Sequence, residues 1–310
     1  GLTGPVIGYQ GALIRAMPAV FVLIWSTGFI VAKYGLPYAP PLTFLAIRYF
    51  LSIVCFLVWI ALARAAWPRT RAQWGHLAVT GLLMHAGYLG GIWTAMKAGM
   101  GSGLTALIVG LQPVLTALWV SWQSSGDSGN PQSRVSPRQW AGLALGLGGL
   151  LLVVSRKFGT GQEVTALTLA CTVFALFCIT AGTLYQKRFV QPADVRTANA
   201  IQLAAAFVVT LPLALLLETE AINWNIHFLG AMAWSVLALT LGGSSLLYLL
   251  IQRGAATSVT SLLYLVPPTT ALMAWALFGE SITTATVVGT ALTALGVSLV
   301  VRSAKPSRAV

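Results

Sequence analysis

Long apolar runs, each close to 20 residues, alternate with short polar breaks along almost the whole chain. A run of about 20 apolar residues is long enough to cross a hydrocarbon core of about 30 Å as a helix. Backbone groups in lipid must be hydrogen-bonded within the protein, which rules out open sheets. The pattern predicts an all-α integral membrane protein with ten transmembrane helices, which we place at residues 18–34, 43–63, 75–97, 102–122, 138–155, 164–186, 197–217, 228–252, 257–278 and 282–301.

Composition favours a membrane protein over a soluble one. The chain has 310 residues, of which 57% are hydrophobic and 8% are charged, whereas a soluble domain carries roughly 25% charged residues. All three cysteines lie in predicted helices. We therefore expect packing cysteines and no disulfide framework.

The position of the basic residues decides what the net charge of +12 means. With the amino terminus in the cytoplasm, thirteen of the 18 basic residues lie on inside segments, four lie outside, and Arg48 lies within the second helix. This bias follows the positive-inside rule, so we expect both termini in the cytoplasm. Residues 1–17 then form a cytoplasmic segment and residues 302–310 a cytoplasmic tail. The charge is explained without nucleic acid.

The chain contains an internal repeat with an offset of 155 residues. Gly99–Pro113 matches Gly254–Pro268, with glycine, threonine, leucine and proline in register. The first and fifth predicted helices match the sixth and tenth, at offsets of 154 and 147 residues. We therefore divide the chain into a first repeat, residues 18–155, and a second repeat, residues 164–301.

Five helices per repeat predict that the two repeats have opposite orientations, because an odd number of crossings brings the second copy in from the other side. Inverted repeats are typical of transporters that expose a midplane site alternately to either side. We therefore expect alternating access, with the substrate bound where the repeats meet.

Several segments resemble the drug/metabolite transporter superfamily, in its ten-span form built from two EamA-type repeats. They are Trp25–Lys33 (WSTGFIVAK), Phe44–Arg48, Gly99–Pro113, Trp275–Glu280 (WALFGE) and Gly289–Val297 (GTALTALGV). The aromatic content makes the chain look most like the bacterial exporter of aromatic amino acids within that family. The resemblance implies a multi-pass protein of the bacterial inner (plasma) membrane that exports small metabolites, including aromatic and other amino acids.

Glu280 is a departure from the repeat, because the Phe-Gly-Glu sequence that ends the ninth predicted helix has no counterpart after the fourth, where Gln123, Ser124 and Ser125 stand instead. If Glu280 has a structural role, we expect it to act as an acid in the first turn of the tenth helix.

His85 lies midway along the third predicted helix, and it is the ionisable side chain most clearly in the middle of a span. Ionisable residues within the membrane are candidates for function. His85 could contact a substrate, bond only to a neighbouring helix, or carry a proton, since its unperturbed pKa is near 6.5. The sequence leaves these three alternatives open.

Aromatic and amide side chains supply the other candidates for substrate binding. Trp25, Tyr88, Tyr248 and Tyr264 lie deeper than an interfacial aromatic belt requires. They could form walls that stack on an aromatic ligand, or they could be ordinary core residues. The side chains of Gln112 and Asn199 could hydrogen-bond to a substrate carboxylate or amine. Hydrogen bonds between helices would explain these polar residues equally well.

Three prolines are candidate hinges. Pro113, Pro267 and Pro268 fall near the middle of the fourth and ninth predicted helices. Proline removes a hydrogen bond and bends a helix. Matched bends suggest hinges beside a central cavity, and the alternative is a fixed kink that only improves packing.

Lys33, Arg48 and Lys97 lie toward the predicted outer ends of helices. We expect these long side chains to snorkel to the interface, with guidance of a substrate carboxylate as the alternative.

No acidic residue lies in the middle of a predicted helix, so a proton-exchanging carboxylate is absent from the spans. We therefore favour uniport of a zwitterionic or neutral metabolite. The alternatives are a carrier for sugar phosphates or nucleobases, a proton-coupled exporter that uses His85, and a membrane enzyme. The partners we expect are a small-molecule substrate and the lipid bilayer, without cofactor, metal ion or nucleic acid, and a monomer is compatible with this.

Overall fold

The structure is a computed structural model that describes residues 4–128, 136–158, 163–252 and 263–303. Every named element within these residues is helical, and the one β feature among them is an isolated bridge between Phe158 and Val164. The prediction of an all-helical chain is therefore confirmed. The α-helices are α1 (Gly4–Gly35), α2 (Pro41–Ala63), α3 (Arg71–Gly81), α4 (Tyr88–Lys97), α5 (Ser102–Val109), α6 (Gln112–Ser128), α7 (Pro137–Lys157), α8 (Ala166–Phe189), α9 (Val195–Leu217), α10 (Ile226–Trp234), α11 (Ser245–Gln252), α12 (Val266–Phe278) and α13 (Thr284–Ser303).

Two π-helical segments interrupt the α-helices at matching places in the two repeats. Segment π1 (Leu82–Gly87) joins α3 to α4, and segment π2 (Ser235–Ser244) joins α10 to α11. Adding the repeat offset of 155 to the bounds of π1 gives residues 237–242, which fall inside π2. π-Helical turns are rare and occur frequently at functional sites, so both segments direct attention to the side chains that they carry.

Seven helical segments of the described chain are long and apolar enough to cross a membrane, judged by length and composition. Two shorter apolar helices, Val266–Phe278 and Thr284–Val300, follow them. The third predicted span is helical from Arg71 to Lys97 but is not one of the seven. A multi-pass membrane protein is therefore supported, while the count of ten spans stays a prediction.

Polar residues at the helix starts explain where several helices begin. Ser136 and Thr165 each form a capping box with the residue three positions later, and Asp194 and Asn225 accept hydrogen bonds from the first turns of α9 and α10. Such caps satisfy backbone N–H groups that have no partner within the helix. These starts therefore follow from local chemistry.

Helices α7 and α13, the fifth and tenth predicted spans, cross with their backbones almost in contact. A Cβ atom placed on Gly142 would lie 2.6 Å from the Gly296 carbonyl oxygen, and one on Gly149 would meet the Gly289 carbonyl. The later glycine of α7 meets the earlier glycine of α13 and the earlier meets the later, so the two helices are antiparallel. Only glycine permits so close an approach of two backbones.

The contacts at this crossing are reciprocal. Gly142 meets Val300, and Gly289, which matches Gly142 in the repeat, meets Val153, which matches Val300. In a contact with twofold symmetry, residue i of one copy touches residue j of the other, and j touches i. The crossing therefore has the pattern of a twofold axis between two matching helices.

The fourth predicted span is broken just before Pro113. Helix α5 ends at Val109 and α6 begins at Gln112, so Pro113 stands in the first turn of α6 rather than inside a continuous helix. Pro267 and Pro268 likewise stand in the first turn of α12. Proline is tolerated there because the first N–H groups of a helix lack partners. In the second repeat, the segment Gly254–Leu262, which matches Gly99–Leu107 and leads into the ninth predicted span, lies outside the described residues.

The break and the start of α12 are in contact with each other. A Cβ atom on Gly110 would lie 2.8 Å from Cγ of Pro267. The break in the fourth span of the first repeat therefore lies against the first turn of α12 in the second repeat, at one of the prolines that the sequence marks as hinges.

Candidate functional site

A cavity lies between the two repeats, at the level of both π segments. Its volume is about 50 Å³, several times the roughly 10–15 Å³ that one water molecule requires, so it is more than a packing defect. Ten lining residues belong to the first repeat and six to the second. They are Trp25, Gly28, Phe29, Arg48, Met84, His85, Tyr88, Leu89, Ile92, Trp93, Gln186, Gln202, Leu239, Ser244, Leu247 and Tyr248.

Lining residues from the third and eighth predicted spans occur in matched pairs. At the offset of 155, four pairs line the cavity together, namely Met84 with Leu239, Leu89 with Ser244, Ile92 with Leu247, and Trp93 with Tyr248. Half of the sixteen lining residues thus occupy matched positions of these two spans, whereas His85 and Tyr88 have no counterpart in the lining.

One wall of the cavity is aromatic. The rings of Trp25 and Tyr88 stack with centroids 5.7 Å apart and an angle of 12° between their planes. Phe21 packs behind Trp25 at 5.1 Å, and Trp93 stacks on Phe44 at 4.4 Å. Aromatic rings packed in this way form a rigid apolar surface on which another ring can stack.

His85 lies on π1 and is 6% exposed. Its ring meets the ring of Tyr49 edge to face at 6.2 Å, and the Tyr49 hydroxyl donates to the His85 carbonyl oxygen at 2.8 Å. Tyr49 therefore fixes the π segment from α2, and it sets the position of the imidazole at the cavity.

Arg48 lies beside the cavity and is 5% exposed. Its Nε donates to the Thr240 hydroxyl at 3.1 Å, and Thr240 donates in turn to the Ser235 carbonyl within π2. The expectation that Arg48 snorkels to the interface is wrong, because its guanidinium bonds across to the second repeat.

The structure brings four of the seven candidate binding residues together, since Trp25, His85, Tyr88 and Tyr248 all line the cavity. The other three lie elsewhere. Gln112 donates to the Thr183 hydroxyl at 3.2 Å, Asn199 donates to the Val195 carbonyl within its own helix, and Tyr264 packs against an apolar cluster that includes Leu111. Their geometry is that of helix packing.

Sequence reasoning passed over Gln202, which the structure places at the cavity. Gln202 is 3% exposed and donates to the Thr80 hydroxyl at 2.9 Å. Gln202 is the counterpart of Arg48 at the offset of 154 that aligns the first and sixth helices. Comparing the repeats position by position would have found this pair.

Four charged residues form a cluster at the end of the molecule where α1 ends and α5 begins. We call Lys33, Lys157, Glu163 and Glu280 the four-charge cluster. Glu280 pairs with Lys33 at 2.5 Å and accepts from the Ser102 N–H at 3.0 Å, while Glu163 pairs with Lys157 at 3.1 Å. Lys33 and Ser102 are in the first repeat and Glu280 is in the second, so the cluster ties the repeats together.

The role expected of Glu280 is wrong in one respect. Its carboxylate receives an N–H group from the start of α5, not from the start of the last helix. An acid at a helix N-terminus is stabilising in either place, but here the helix belongs to the other repeat.

The opposite end of the molecule is tied by neutral groups. The side chain of Gln73 exchanges two hydrogen bonds with the backbone of Gln191, at 2.8 and 3.2 Å. The ion pair nearby, Asp194 with Arg196, spans two residues of one helix start. The Arg196 guanidinium lowers the pKa of the Asp194 carboxyl by hydrogen bonding.

No group of three or more histidine, cysteine, aspartate or glutamate side chains in the described ranges could hold a metal ion.

Comparison with known proteins gives a consistent result. A model of the EamA-like transporter family matches the chain twice, at residues 16–155 and 166–302. A "Probable amino-acid metabolite efflux pump" of Salmonella typhimurium is 26% identical over 89% of this chain and 90% of its own length. The "Uncharacterized inner membrane transporter YedA" of Escherichia coli K12 is 25% identical over 87% of this chain and 84% of its own length.

A solved crystal structure is similar in fold, with a TM-score of 0.66 over 92% of this chain and 95% of the other. The two sequences are 17% identical, so this likeness concerns the fold alone.

Proposed function

The chain belongs to the EamA-like transporter family, and from this premise we propose that it exports small metabolites, including aromatic and other amino acids, across the bacterial inner membrane. It is a membrane transporter, and its relatives include proteins named as amino-acid metabolite efflux pumps. The proposed transport is uniport by alternating access between two inverted repeats of five spans.

The observation that carries this proposal is the cavity between the repeats. Its aromatic wall, Trp25 stacked on Tyr88, suits an aromatic or apolar side chain. Buried polar groups stand beside that wall, namely Arg48, His85, Gln186 and Gln202. A largely apolar pocket with a few polar groups is the common form of a small-molecule site.

The inverted arrangement is supported by the antiparallel crossing of α7 and α13 and by its reciprocal glycine contacts. It is also supported by the twofold match of the family model. On the predicted topology both termini are cytoplasmic, and the four-charge cluster faces the outside.

Alternating access requires that contacts between the repeats break at one end while those at the other end hold. The four-charge cluster and the pairing of Gln73 with Gln191 are the contacts we assign to these two closures. We assign the bending to Pro113, Pro267 and Pro268, beside the contact between Gly110 and Pro267.

Uniport is favoured because the lining of the cavity contains no carboxylate that could exchange a proton. The second candidate is proton-coupled export through His85, which the position of its ring at the cavity favours. Tyr264, Gln112 and Asn199 are not part of the proposed site.

Counterflow of radiolabelled amino acids into liposomes at several pH values tests the proposal. We expect saturable flux of aromatic amino acids that does not depend on pH near neutrality, with a lower rate in His85→Ala. A pH dependence that is lost in His85→Ala would favour the coupled mechanism. The absence of accelerated flux for every amino acid would refute the proposed function.

Removing the charge of Glu280 should loosen the outer end. We expect Glu280→Gln to shift the equilibrium toward the outer-open form by up to about 1 kcal/mol, or roughly fivefold, because a partly exposed ion pair contributes no more. A second pocket is lined by all four residues of the four-charge cluster and by Thr290. Thr290→Cys in a protein without its native cysteines therefore reports opening through the rate of labelling by an impermeant thiol reagent.

Asp194→Asn is the matched control for Glu280→Gln, because that ion pair lies within one helix start and does not join the repeats. Labelling of Thr290→Cys should be unchanged in this control. Labelling that is equally fast with and without Glu280→Gln would show that the cluster is not a closure.

A further inference from the structure

Arg48 places a positive charge beside the cavity that none of the described acidic side chains neutralises. Among the described residues its guanidinium makes one hydrogen bond, from Nε to Thr240. The acidic side chains of the described chain have other partners, which are Lys157 for Glu163, Arg196 for Asp194, the N–H groups of Leu42 and Thr43 for Glu218, Lys97 for Glu220 and Lys33 for Glu280. The side chain of Asp127 is outside the described residues.

A buried charge is costly unless a partner of opposite charge or several hydrogen bonds compensate it. A guanidinium offers five N–H donors, and Thr240 takes one of them. The compensation that the described residues do not supply can come from an anionic ligand in the cavity. Among ligands of equal size, the charge of Arg48 therefore favours binding of an anion over a neutral molecule or a cation.

We propose that Arg48 is the counter-ion of a substrate carboxylate, and that the cavity accepts amphipathic organic acids whether or not they carry an α-ammonium group. The assignment rests on the proposed function in taking this cavity as the transport site. The planar fork of arginine matches the two oxygens of a carboxylate. Trp25 and Tyr88 line the same cavity and can hold the apolar part of such an acid.

The ammonium group of an amino acid finds weaker partners in this cavity than the carboxylate does. The lining offers it neutral groups, among them the amides of Gln186 and Gln202, and no carboxylate. The charge of Arg48 also repels a cation. A 2-oxo acid or an arylalkanoate should therefore bind at least as well as the corresponding amino acid, and the corresponding amine should bind poorly.

A phosphate ester is a weaker candidate for the same position. A doubly charged phosphate calls for more than one fixed cation, whereas Arg48 is the only arginine or lysine in the lining. The matching position of the second repeat, Gln202, is neutral. The asymmetry between these two residues fits a ligand with a single negative charge at one end.

Binding of four ligands with the same ring tests the proposal on the purified full-length protein, by tryptophan fluorescence and by the ligand-induced rise in melting temperature. The ligands are 3-phenylpropionate, phenylalanine and 2-phenylethylamine, with phenyl phosphate as a fourth. We expect both carboxylates to bind at least roughly tenfold more tightly than the amine, which corresponds to about 1.4 kcal/mol. Tighter binding of the amine or of phenyl phosphate would overturn the proposal.

Two substitutions localise the effect. Arg48→Gln should weaken both carboxylates by roughly tenfold or more and leave the amine unchanged, while Arg48→Lys should keep part of the affinity because it retains the charge without the fork. Arg188→Gln removes a positive charge from an exposed residue outside the cavity and serves as the control. Carboxylate affinities that stay within twofold in Arg48→Gln would also overturn the proposal. If Arg48→Gln does not fold, the comparison of ligands in the wild-type protein still decides.

Two outcomes separate the role of Arg48 from the proposed transport activity. Flux of phenylalanine that is indifferent to Arg48→Gln leaves the transporter intact and removes Arg48 from its site. Binding of 3-phenylpropionate that requires Arg48, without flux of any amino acid, supports the site and refutes amino-acid export.

Discussion

Gly28→Leu is expected to reduce transport at least roughly tenfold, an effect of about 1.4 kcal/mol on the rate-limiting barrier, while the protein still folds. Gly28 lines the cavity, and a Cβ atom there would lie 3.6 Å from Cδ2 of Leu239, which is an ordinary contact. The rest of a leucine side chain would occupy the space that the substrate needs. Counterflow of a radiolabelled amino acid in liposomes measures the loss, and the melting temperature in detergent measures folding.

Two variants control for the size of the new side chain. Gly28→Ala adds only the tolerated Cβ atom and should retain most of the flux. Gly148→Leu adds the same bulk to an exposed position of α7 where a Cβ atom meets nothing within 4 Å, and its flux should match the wild type. Wild-type flux in Gly28→Leu would mean that the substrate does not pass through this cavity.

Gly149→Leu is expected to prevent stable folding. A Cβ atom at this position would meet the Gly289 carbonyl and the Thr293 backbone nitrogen of α13, so the obstacle is backbone that cannot rotate away. Overpacking of a core typically costs about 1–3 kcal/mol, and the cost should reach or exceed the top of that range because two helices must separate. The melting temperature and the yield of monodisperse protein measure the effect.

The reciprocity of the crossing supplies a sharper comparison. Gly296 matches Gly149 in the repeat and meets the Gly142 carbonyl. Gly296→Leu should therefore destabilise the protein to a similar extent, and Gly148→Leu, one residue from Gly149, should not. A stable Gly149→Leu protein would contradict the packing described for α7 and α13.

The sequence was sufficient to predict an all-helical membrane protein because apolar length and the absence of charge are properties of single segments. It predicted a bend of the fourth span at Pro113, close to the break that the structure has at Gly110 and Leu111. The break also lies against Pro267, and this contact between distant parts of the chain could not be predicted from the sequence. The π segments had no sequence signal for the same reason.

The candidate site was predicted in part. Trp25, His85, Tyr88 and Tyr248 were found because aromatic and ionisable residues deep in a span are conspicuous, and all four line one cavity, although their role in binding stays a prediction. Gln112 and Asn199 are equally conspicuous but lie on faces that bond to other helices or to their own. A single sequence shows that a residue is polar, not which face of the bundle it occupies.

The glycines that α7 contributes to its crossing with α13 have the same partners, by repeat position, as the glycines that α13 contributes. The interface is thus self-complementary. Two identical copies of one repeat, inserted in the membrane in opposite orientations, could form the same interface. Fusion into one chain frees the copies from having to stay identical. The cavity has used that freedom, since arginine stands at residue 48 and glutamine at its twin, residue 202, and this asymmetry is what the proposed ligand, with two different ends, would require of a symmetric frame.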